Sequence, residues 1–455
     1  MRVGVGKGKD GAMIPQAPLS CRQAGFSLVV FTVLIGLLLT LGFVLSSIVV
    51  TDVHSSVSSL EAAQALASAE AGIELATGWL RSLPTAPQEL DPFPFATDLQ
   101  VGTGVVSVLI IPDPGNSLTY LKRFTVRSQA TVGEATRRVE VQVRMASFAD
   151  FLWATNSEGT STLWYYTGDV LDGPLFTNDA VAIYGSPVFL GPVYSAAPSF
   201  KKGAVFNPEF RAGYRLGVPR ITLPSISDVM NNVIQYGSGS PYILYGGNKN
   251  PVKLRFRVQG GVGYVQYHAL DATGMPVTGQ VAVDQIPDGV LRIRGDVQVQ
   301  GTLKGALTVL AEKSSPIEGG NIYIEDDIFY SCADASGRPL PGCEDKLGLV
   351  AESNVIVSDN SSNSQDCIID AAILALGTSF KVENHASGKP RGKLIVWGSI
   401  AQSVRGPVGT FSGNKQKTGF LKEYHFDPRL PSAPPPFYPK AGVYIVEAWR
   451  EITTD

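Results

Sequence analysis

Histidine, cysteine and catalytic motifs are scarce in this chain of 455 residues. It has four His and four Cys, without a C-x-x-C pair or another spacing typical of a zinc site. The G-x-S-x-G, H-E-x-x-H and Walker motifs are missing as well. The sequence therefore predicts a protein that is not an enzyme, with no catalytic residues, no metal site and no cofactor.

Charge is absent between Phe26 and Thr51, where Leu, Val, Ile, Phe, Gly, Ser and Thr follow one another. About 20 apolar residues cross the hydrocarbon core of a bilayer, so this segment is long enough to span a membrane. The nearby basic residues all precede it: Arg2, Lys7, Lys9 and Arg22. Because positive flanks stay in the cytoplasm, we expect the rest of the chain to be exported.

The basic leader meets the apolar segment at Gly25 and Phe26, and Ser and Leu follow. This junction resembles the class III signal of type IV prepilins, which prepilin peptidase cuts between these two residues. The resemblance implies a precursor in the inner membrane, and then a mature subunit in a pilus or pseudopilus in the periplasm or at the cell surface. Other major and minor pilins would be its partners. The alternative is a single-pass anchor that is never cut.

Apolar residues recur at helical spacing beyond the membrane segment, and no Pro follows them before Pro84. Residues 26–83 would then form one helix about 85 Å long. Residues 69–74, AEAGIE, resemble a segment of minor pilins related to PilX. Val30 stands at the fifth position of the mature chain, where major pilins carry Glu. That departure resembles K-type pseudopilins and implies a subunit at the filament tip.

After residue 84 the pattern changes to β structure. Residues 104–111, 123–131 and 137–144 read as strands, which predicts an antiparallel sheet packed on the helix. Short apolar runs then recur between Gly, Asn and Asp up to residue 430, and they favour a β-solenoid over a sandwich. After a Pro-rich stretch, residues 442–449 read as a strand that returns to the first sheet.

The predicted fold class is α+β, mostly β: a long N-terminal pilin helix packed on a small antiparallel sheet, with a large β-solenoid-like insertion. This arrangement resembles large competence pilins of the ComZ type, in which a solenoid is inserted into a pilin fold. The predicted parts are a prepilin leader (1–25), a transmembrane and amphipathic helix (26–83), a head sheet (84–147), a solenoid-like domain (148–430), and a Pro-rich return with the C-terminal strand (431–455).

Three Cys remain once the leader is removed. Cys332 and Cys343 flank a loop-like insert, and exported proteins meet an oxidising compartment. We therefore expect a disulfide between them, which would add about 3 kcal/mol of stability in the loop-entropy model. Cys367 would be left unpaired. The oxygen-rich stretch 359–366 could hold calcium but lacks EF-hand spacing, so no metal site is assigned.

Basic residues are concentrated in three places. Phosphate neutralisation supplies most sequence-independent affinity for DNA, and aromatic rings add stacking for single strands. One trio falls on one face of a predicted strand, with successive cations about 6.6 Å apart. The predicted DNA-binding residues are Lys253, Arg255 and Arg257; Lys201, Lys202 and Arg211, among Phe and Tyr; and Lys415 and Lys417, in a basic segment. The alternative is a solvated basic face over core aromatic residues.

The expected function is that of a minor pilin at the tip of a type IV pilus-like filament. It would prime assembly and display a β-rich head that binds DNA for natural transformation or mediates adhesion. A K-like pseudopilin that initiates a type II secretion filament is the alternative. A membrane-anchored carbohydrate-active enzyme is a third hypothesis, for which Glu325 and Asp327 would be the acidic pair.

Overall fold

The computed structural model describes residues 24–83, 85–159, 163–246, 250–315, 318–412 and 415–452. The predicted leader, except for its last two residues, lies outside the described residues, and so does Pro84, the predicted end of the helix. The described chain is mostly β structure with one long N-terminal helix. The predicted class, α+β and mostly β, is confirmed at that level.

The N-terminal helix, α1 (Ala24–Ser82), has 59 residues and two different halves. The side chains of residues 28–60 are exposed. By length and composition, α1 could cross a membrane. Further along, buried residues recur every three or four positions, which gives the helix one packed face. They are Ala65, Ala69, Ile73, Ala76 and Leu80.

The packed half of α1 lies on an antiparallel sheet, the head sheet. Its first strands are β1 (Phe93–Val101), β2 (Gly104–Pro112), β3 (Arg123–Val132) and β4 (Ala135–Ser147), paired in chain order. The helix packs closely on the sheet at Gly72, where a Cβ would stand 2.7 Å from Val106 Cγ1 and would also collide with Ser128. Glycine at this position lets the helix settle on the sheet.

A larger β domain begins after β4, and its first half consists of ten short strands. They are β5 (Trp153–Ser157), β6 (Tyr165–Tyr166), β7 (Val170–Asp172), β8 (Leu175–Thr177), β9 (Ala182–Gly185), β10 (Val188–Phe189), β11 (Val193–Ser195), β12 (Lys201–Phe206), β13 (Glu209–Phe210) and β14 (Tyr214–Leu216). Every third strand pairs in parallel, so that β5, β8, β11 and β14 form one ladder, β6, β9 and β12 a second, and β7, β10 and β13 a third. Successive turns of the chain are therefore stacked.

The short helix α2 (Ile226–Tyr236) links this half to the second half. Ser225 caps it, since its hydroxyl accepts from the amide of Asp228 while the Asp228 carboxylate accepts from the amide of Ser225. Val229 and Val233 pack against the β domain. The chain then resumes at the opposite end of the stack and returns toward the first half.

The second half contains longer strands. They are β15 (Tyr242–Tyr245), β16 (Val252–Gln259), β17 (Val262–Leu270), β18 (Pro276–Ala282), β19 (Val290–Arg294), β20 (Val297–Leu303), β21 (Ala306–Ser315), β22 (Glu318–Gly319), β23 (Ile322–Tyr330), β24 (Lys346–Ala351), β25 (Val355–Val357), β26 (Cys367–Ala375), β27 (Phe380–Val382), β28 (Pro390–Val404), β29 (Gly409–Ser412) and β30 (Lys415–Phe426). The two halves join where β28 pairs with β5 and β30 pairs with β7.

Nine strands of the second half close into a ring of hydrogen-bonded pairs. The order is β15, β19, β21, β24, β26, β23, β20, β16 and β17, and β17 pairs back to β15. Closure depends on β26, because Ile369 pairs with Ile328 on β23 while Ala372 pairs with Gly348 on β24. The prediction of a β-solenoid-like insertion is therefore wrong for these strands, which form a closed nine-stranded barrel.

The last strand, β31 (Lys440–Ile452), leaves the β domain and pairs antiparallel with β4. Tyr444 lies opposite Met145, and Trp449 lies opposite Val141. This is the return to the head sheet that the sequence analysis expected. The β domain is thus inserted between two neighbouring strands of the head sheet, and both of its connections to the rest of the chain are at that place.

Candidate binding surfaces

The predicted basic trio lies on β16. Lys253, Arg255 and Arg257 are exposed and alternate with buried Leu254 and Phe256, as a strand with one packed face requires. Within the described parts of the chain, none of the three cations forms an ion pair. Three unpaired charges therefore face solvent from one side of a single strand.

Polar uncharged side chains surround this trio. On β17, Gln266 lies opposite Arg255 and Tyr264 lies opposite Arg257. On the other side, β20 places Gln298 opposite Lys253 and Gln300 opposite Arg255. We define the cationic surface as these seven residues: Lys253, Arg255, Arg257, Tyr264, Gln266, Gln298 and Gln300. It offers three positive charges, side-chain amides and a phenol on a sheet face.

Carboxylates limit the cationic surface on its far side. Across the neighbouring strands, Lys253 lies opposite Gln298 on β20, and Gln298 lies opposite Tyr323 on β23. Burial raises the pKa of Tyr323, and the neighbouring carboxylates of Asp296, Glu383 and Glu325 raise it further. A polyanion would therefore meet favourable charge on β16 and repulsion from β23 onward.

Lys201, Lys202 and Arg211 lie at the other end of the β domain. Lys201 and Lys202 are on β12, which belongs to a separate three-stranded sheet. The ammonium of Lys202 stands 4.8 Å from the ring centroid of Phe206, and Arg211 Nε pairs with Glu209 Oε1 at 2.7 Å. The aromatic residues expected beside them form a cluster, with Phe200 and Phe210 stacked 5.2 Å apart. The cations thus cover the end of an apolar core.

Lys415 and Lys417 form a third, separate place at the start of β30, where β29 and β30 make a hairpin. Both are exposed. They flank Gln416, whose Nε2 donates to the Arg391 carbonyl at 3.2 Å. The predicted basic residues therefore do not converge on one site. Among the described residues, β16 presents three cations without an ion pair on one face of a strand, whereas β30 presents two, Lys415 and Lys417.

The acidic pair of the enzyme hypothesis is engaged in structural hydrogen bonds. Glu325 accepts from the Ser358 hydroxyl at 2.8 Å and from the Asn360 amide at 3.0 Å. Asp327 accepts from the amide of Ile368 at 2.8 Å, and burial raises its pKa. These contacts connect neighbouring turns of the chain.

Cys332 and Cys343 form a disulfide, with their Cα atoms 5.4 Å apart. Asp345 lies beside the two sulfurs, so the three side chains have the spacing of a metal cluster. The sulfurs are bonded to each other, however, and Asp345 accepts from the Ser331 hydroxyl at 2.7 Å. Cys367 is unpaired and buried, and burial raises the pKa of its thiol.

The polar neighbours of the trio were missed by the sequence analysis. Gln298 and Gln300 alternate with buried Val297 and Val299, so a polar, half-buried face of β20 could have been read from the sequence. That this face lies beside β16 depends on strand order and register, which a sequence does not display.

Comparison with known proteins finds similarity to a protein family and to a solved structure. A family described as "Domain of unknown function (DUF4900)" matches residues 119–197, which include β3 and β4 of the head sheet and the β domain as far as β11. Among solved structures, the chain is similar to the competence-associated pilin ComZ from Thermus thermophilus, with 14% identity, 86% of this chain and 97% of that chain covered, and a TM-score of 0.30. No curated protein matches.

Proposed function

We propose that this protein is a pilin-like subunit of a surface filament. The difference between the two parts of α1 is the observation that carries the proposal. Residues 28–60 are exposed and largely apolar, whereas the C-terminal part is packed on the head sheet. Water is a poor environment for so large an apolar surface. The inner membrane would cover it before assembly, and the helices of neighbouring pilins would cover it afterwards.

The finer proposal is a minor pilin at the filament tip, cut by prepilin peptidase between Gly25 and Phe26. Val30 supports a tip position, since it offers no carboxylate to the amino terminus of a neighbouring subunit. The bulk of the β domain supports it too, because such a head would be hard to repeat along a shaft. A K-like pseudopilin of a type II secretion filament would share these features and is the second candidate.

The β domain would be the displayed binding head, and we propose DNA as its ligand, with adhesion to another surface as the competing role. The cationic surface supports DNA because its three unpaired cations follow one strand at about 7 Å intervals, close to the spacing of phosphates along an extended strand. Tyr264 adds a ring on which a base could stack.

One experiment tests the ligand. Full-length protein in detergent micelles is titrated with labelled single- and double-stranded DNA at several salt concentrations. The same is done for a Lys253→Gln/Arg255→Gln/Arg257→Gln variant. A control variant loses three cations that are ion-paired on the head sheet, outside every predicted binding place: Arg123→Gln/Arg137→Gln/Arg450→Gln. We expect the β16 variant to bind at least tenfold more weakly than the control. Equal binding by both variants, or no binding by wild type at low salt, contradicts a DNA-binding head.

The filament role is tested separately, so the two proposals can fail independently. A Gly25→Val substitution should block cleavage of the precursor and remove the protein from the sheared surface fraction. Ser27→Ala, next to the junction, is the control and should be processed normally. An uncut wild-type protein that stays in the membrane would contradict assembly and favour the plain anchor.

A further inference from the structure

The loop closed by the disulfide lies on the outside of the β domain. We call residues 331–343, between β23 and β24, the disulfide loop. Its tip rests on β26 and β28: the Ser336 carbonyl accepts from Trp397 Nε1 at 3.1 Å. A Cβ on Gly337 would stand 2.5 Å from Ile368 Cγ2 and 2.8 Å from Asp370 Oδ1. The tip is therefore in direct contact with the sheet beneath it.

Asp370 is the unusual residue under this tip. Its neighbours Ile369 and Ala371 both point into the interior core of the β domain. Strand alternation thus places Asp370 on the outer face. It is nevertheless 0% exposed, because the disulfide loop covers it. One carboxyl oxygen accepts from the amide of Tyr330 at 2.8 Å, and the other, Oδ1, has no hydrogen-bond partner.

A buried carboxylate with an unpaired oxygen is costly, whereas a protonated carboxyl is tolerated. Burial raises the pKa of Asp370 from its ordinary value of 3.8 to about 8. Asp427 and Asp334 push the pKa of Asp370 up, while the Tyr330 amide and Arg429 push it down. Asp427 is already paired with Arg429 at 2.6 Å, so little positive charge remains for Asp370. Two more charged or titratable groups lie nearby: Arg338, over the Trp397 ring, and His425, stacked on it.

The loop is fastened firmly at its base and lightly at its tip. At the base, the disulfide joins the two ends, and Arg429 donates to the Cys343 carbonyl at 2.7 Å. The tip is a self-contained turn, in which the Asp334 carboxylate accepts from the amides of Ser336 and Arg338. This turn can move as a unit, because the bond between Trp397 and Ser336 is, among the described residues, the only hydrogen bond that joins residues 334–339 to the sheet.

We propose that the disulfide loop is a lid that lifts when Asp370 ionises, and that it uncovers this carboxyl at the end of a row of partly exposed side chains on the outer face. In register across β26, β28, β30 and β7, this row is Asp370, Trp397, His425 and Asp172. In the open state the Asp370 carboxylate would join the two stacked rings, which are 4.1 Å apart and already partly exposed, and more of Trp397 would face solvent. The closed lid occupies the same place with Gly337 and Arg338.

The direction of the pH effect follows from the raised pKa. A carboxyl whose pKa is higher in the closed state favours closure at low pH, and this preference is lost as the pH rises toward about 8. Opening should increase up to about tenfold per pH unit over this range, and then level off.

Solvent accessibility of Trp397 reports the lid directly. Full-length protein in detergent micelles is oxidised with hydroxyl radicals between pH 5 and pH 9, and the modification of each Trp is measured by mass spectrometry. We expect oxidation of Trp397 to rise at least threefold in wild type. In Asp370→Asn it should stay at the low value. Trp153, which is 2% exposed in the core, is the internal reference for intact folding.

A second variant tests the same lid by opening it at a pH where the wild-type lid is closed. Gly337→Ala should hold it open at pH 5, since a Cβ has no room there and Gly337 has φ +82°. Its control is Gly342→Ala, in the same loop at φ +81° but with open space around a Cβ. A flat pH profile in wild type, or an equal rise in Asp370→Asn, overturns the proposal. Neither measurement involves DNA or filament assembly.

Discussion

Arg144 on β4 donates from Nε to Glu447 Oε1 on β31 at 2.8 Å, across 303 positions of the chain. The same guanidinium also pairs with Asp150, at the entrance to the β domain. Arg144 therefore ties together the two strands between which the β domain is inserted. Nearby, Tyr120 supports the junction by donating to the Tyr438 carbonyl at 2.8 Å.

The first prediction concerns this junction. Arg144→Met should lower the free energy of unfolding by about 3 kcal/mol, because Asp150 would keep a buried charge without its partner. Arg137→Met is the control, since its pair with Glu451 is exposed and worth less than about 1 kcal/mol. Urea denaturation followed by circular dichroism measures both. Equal losses of unfolding free energy in the two variants would contradict a larger contribution from the buried pair at the junction.

The second prediction compares two glycines of α1. Gly72→Ala should destabilise the head by about 1–3 kcal/mol, because the added methyl collides with Val106 and Ser128. Gly78→Ala has open space around it and should stabilise the helix by up to about 1 kcal/mol. Melting temperatures of the two variants should move in opposite directions. A gain in stability for Gly72→Ala would contradict the close contact between helix and sheet.

Sequence reasoning reached the parts of this fold that have local signals. The helix is visible in the uncharged run after Phe26, and β31 in the alternation before Trp449. The closed ring was missed because it depends on β26, whose Ile369 and Ala372 pair with two different strands. In the candidate site, the exposure of the β16 cations could be predicted from strand alternation. Their Gln neighbours and the loop that covers Asp370 could not, because both depend on long-range strand register.

The third prediction concerns the disulfide. Replacing Cys332 and Cys343 by Ser should lower the free energy of unfolding by about 3 kcal/mol, since the cross-link restricts the unfolded chain. A reducing agent should destabilise wild type by a similar amount and leave the double variant unchanged. Denaturation with and without reductant measures this. A double variant that still responds to reductant would show that another thiol pair is involved.

The fourth prediction concerns Asp327, the half-buried carboxyl that accepts from the amide of Ile368. Burial raises its pKa, and Asp326 and Asp366 add to the shift. A carboxyl with a raised pKa in the folded state contributes stability at low pH, which is lost as the pH rises through that pKa. Asp327→Asn keeps the acceptor without the charge, so it should match wild type near pH 4 and become more stable than wild type toward pH 7. Urea midpoints across this range measure the difference, and Asp91→Asn, which removes an exposed carboxylate that does not act on Asp327, serves as the control. An advantage for Asp327→Asn that shrinks as the pH rises would reverse the sign and contradict burial as the cause.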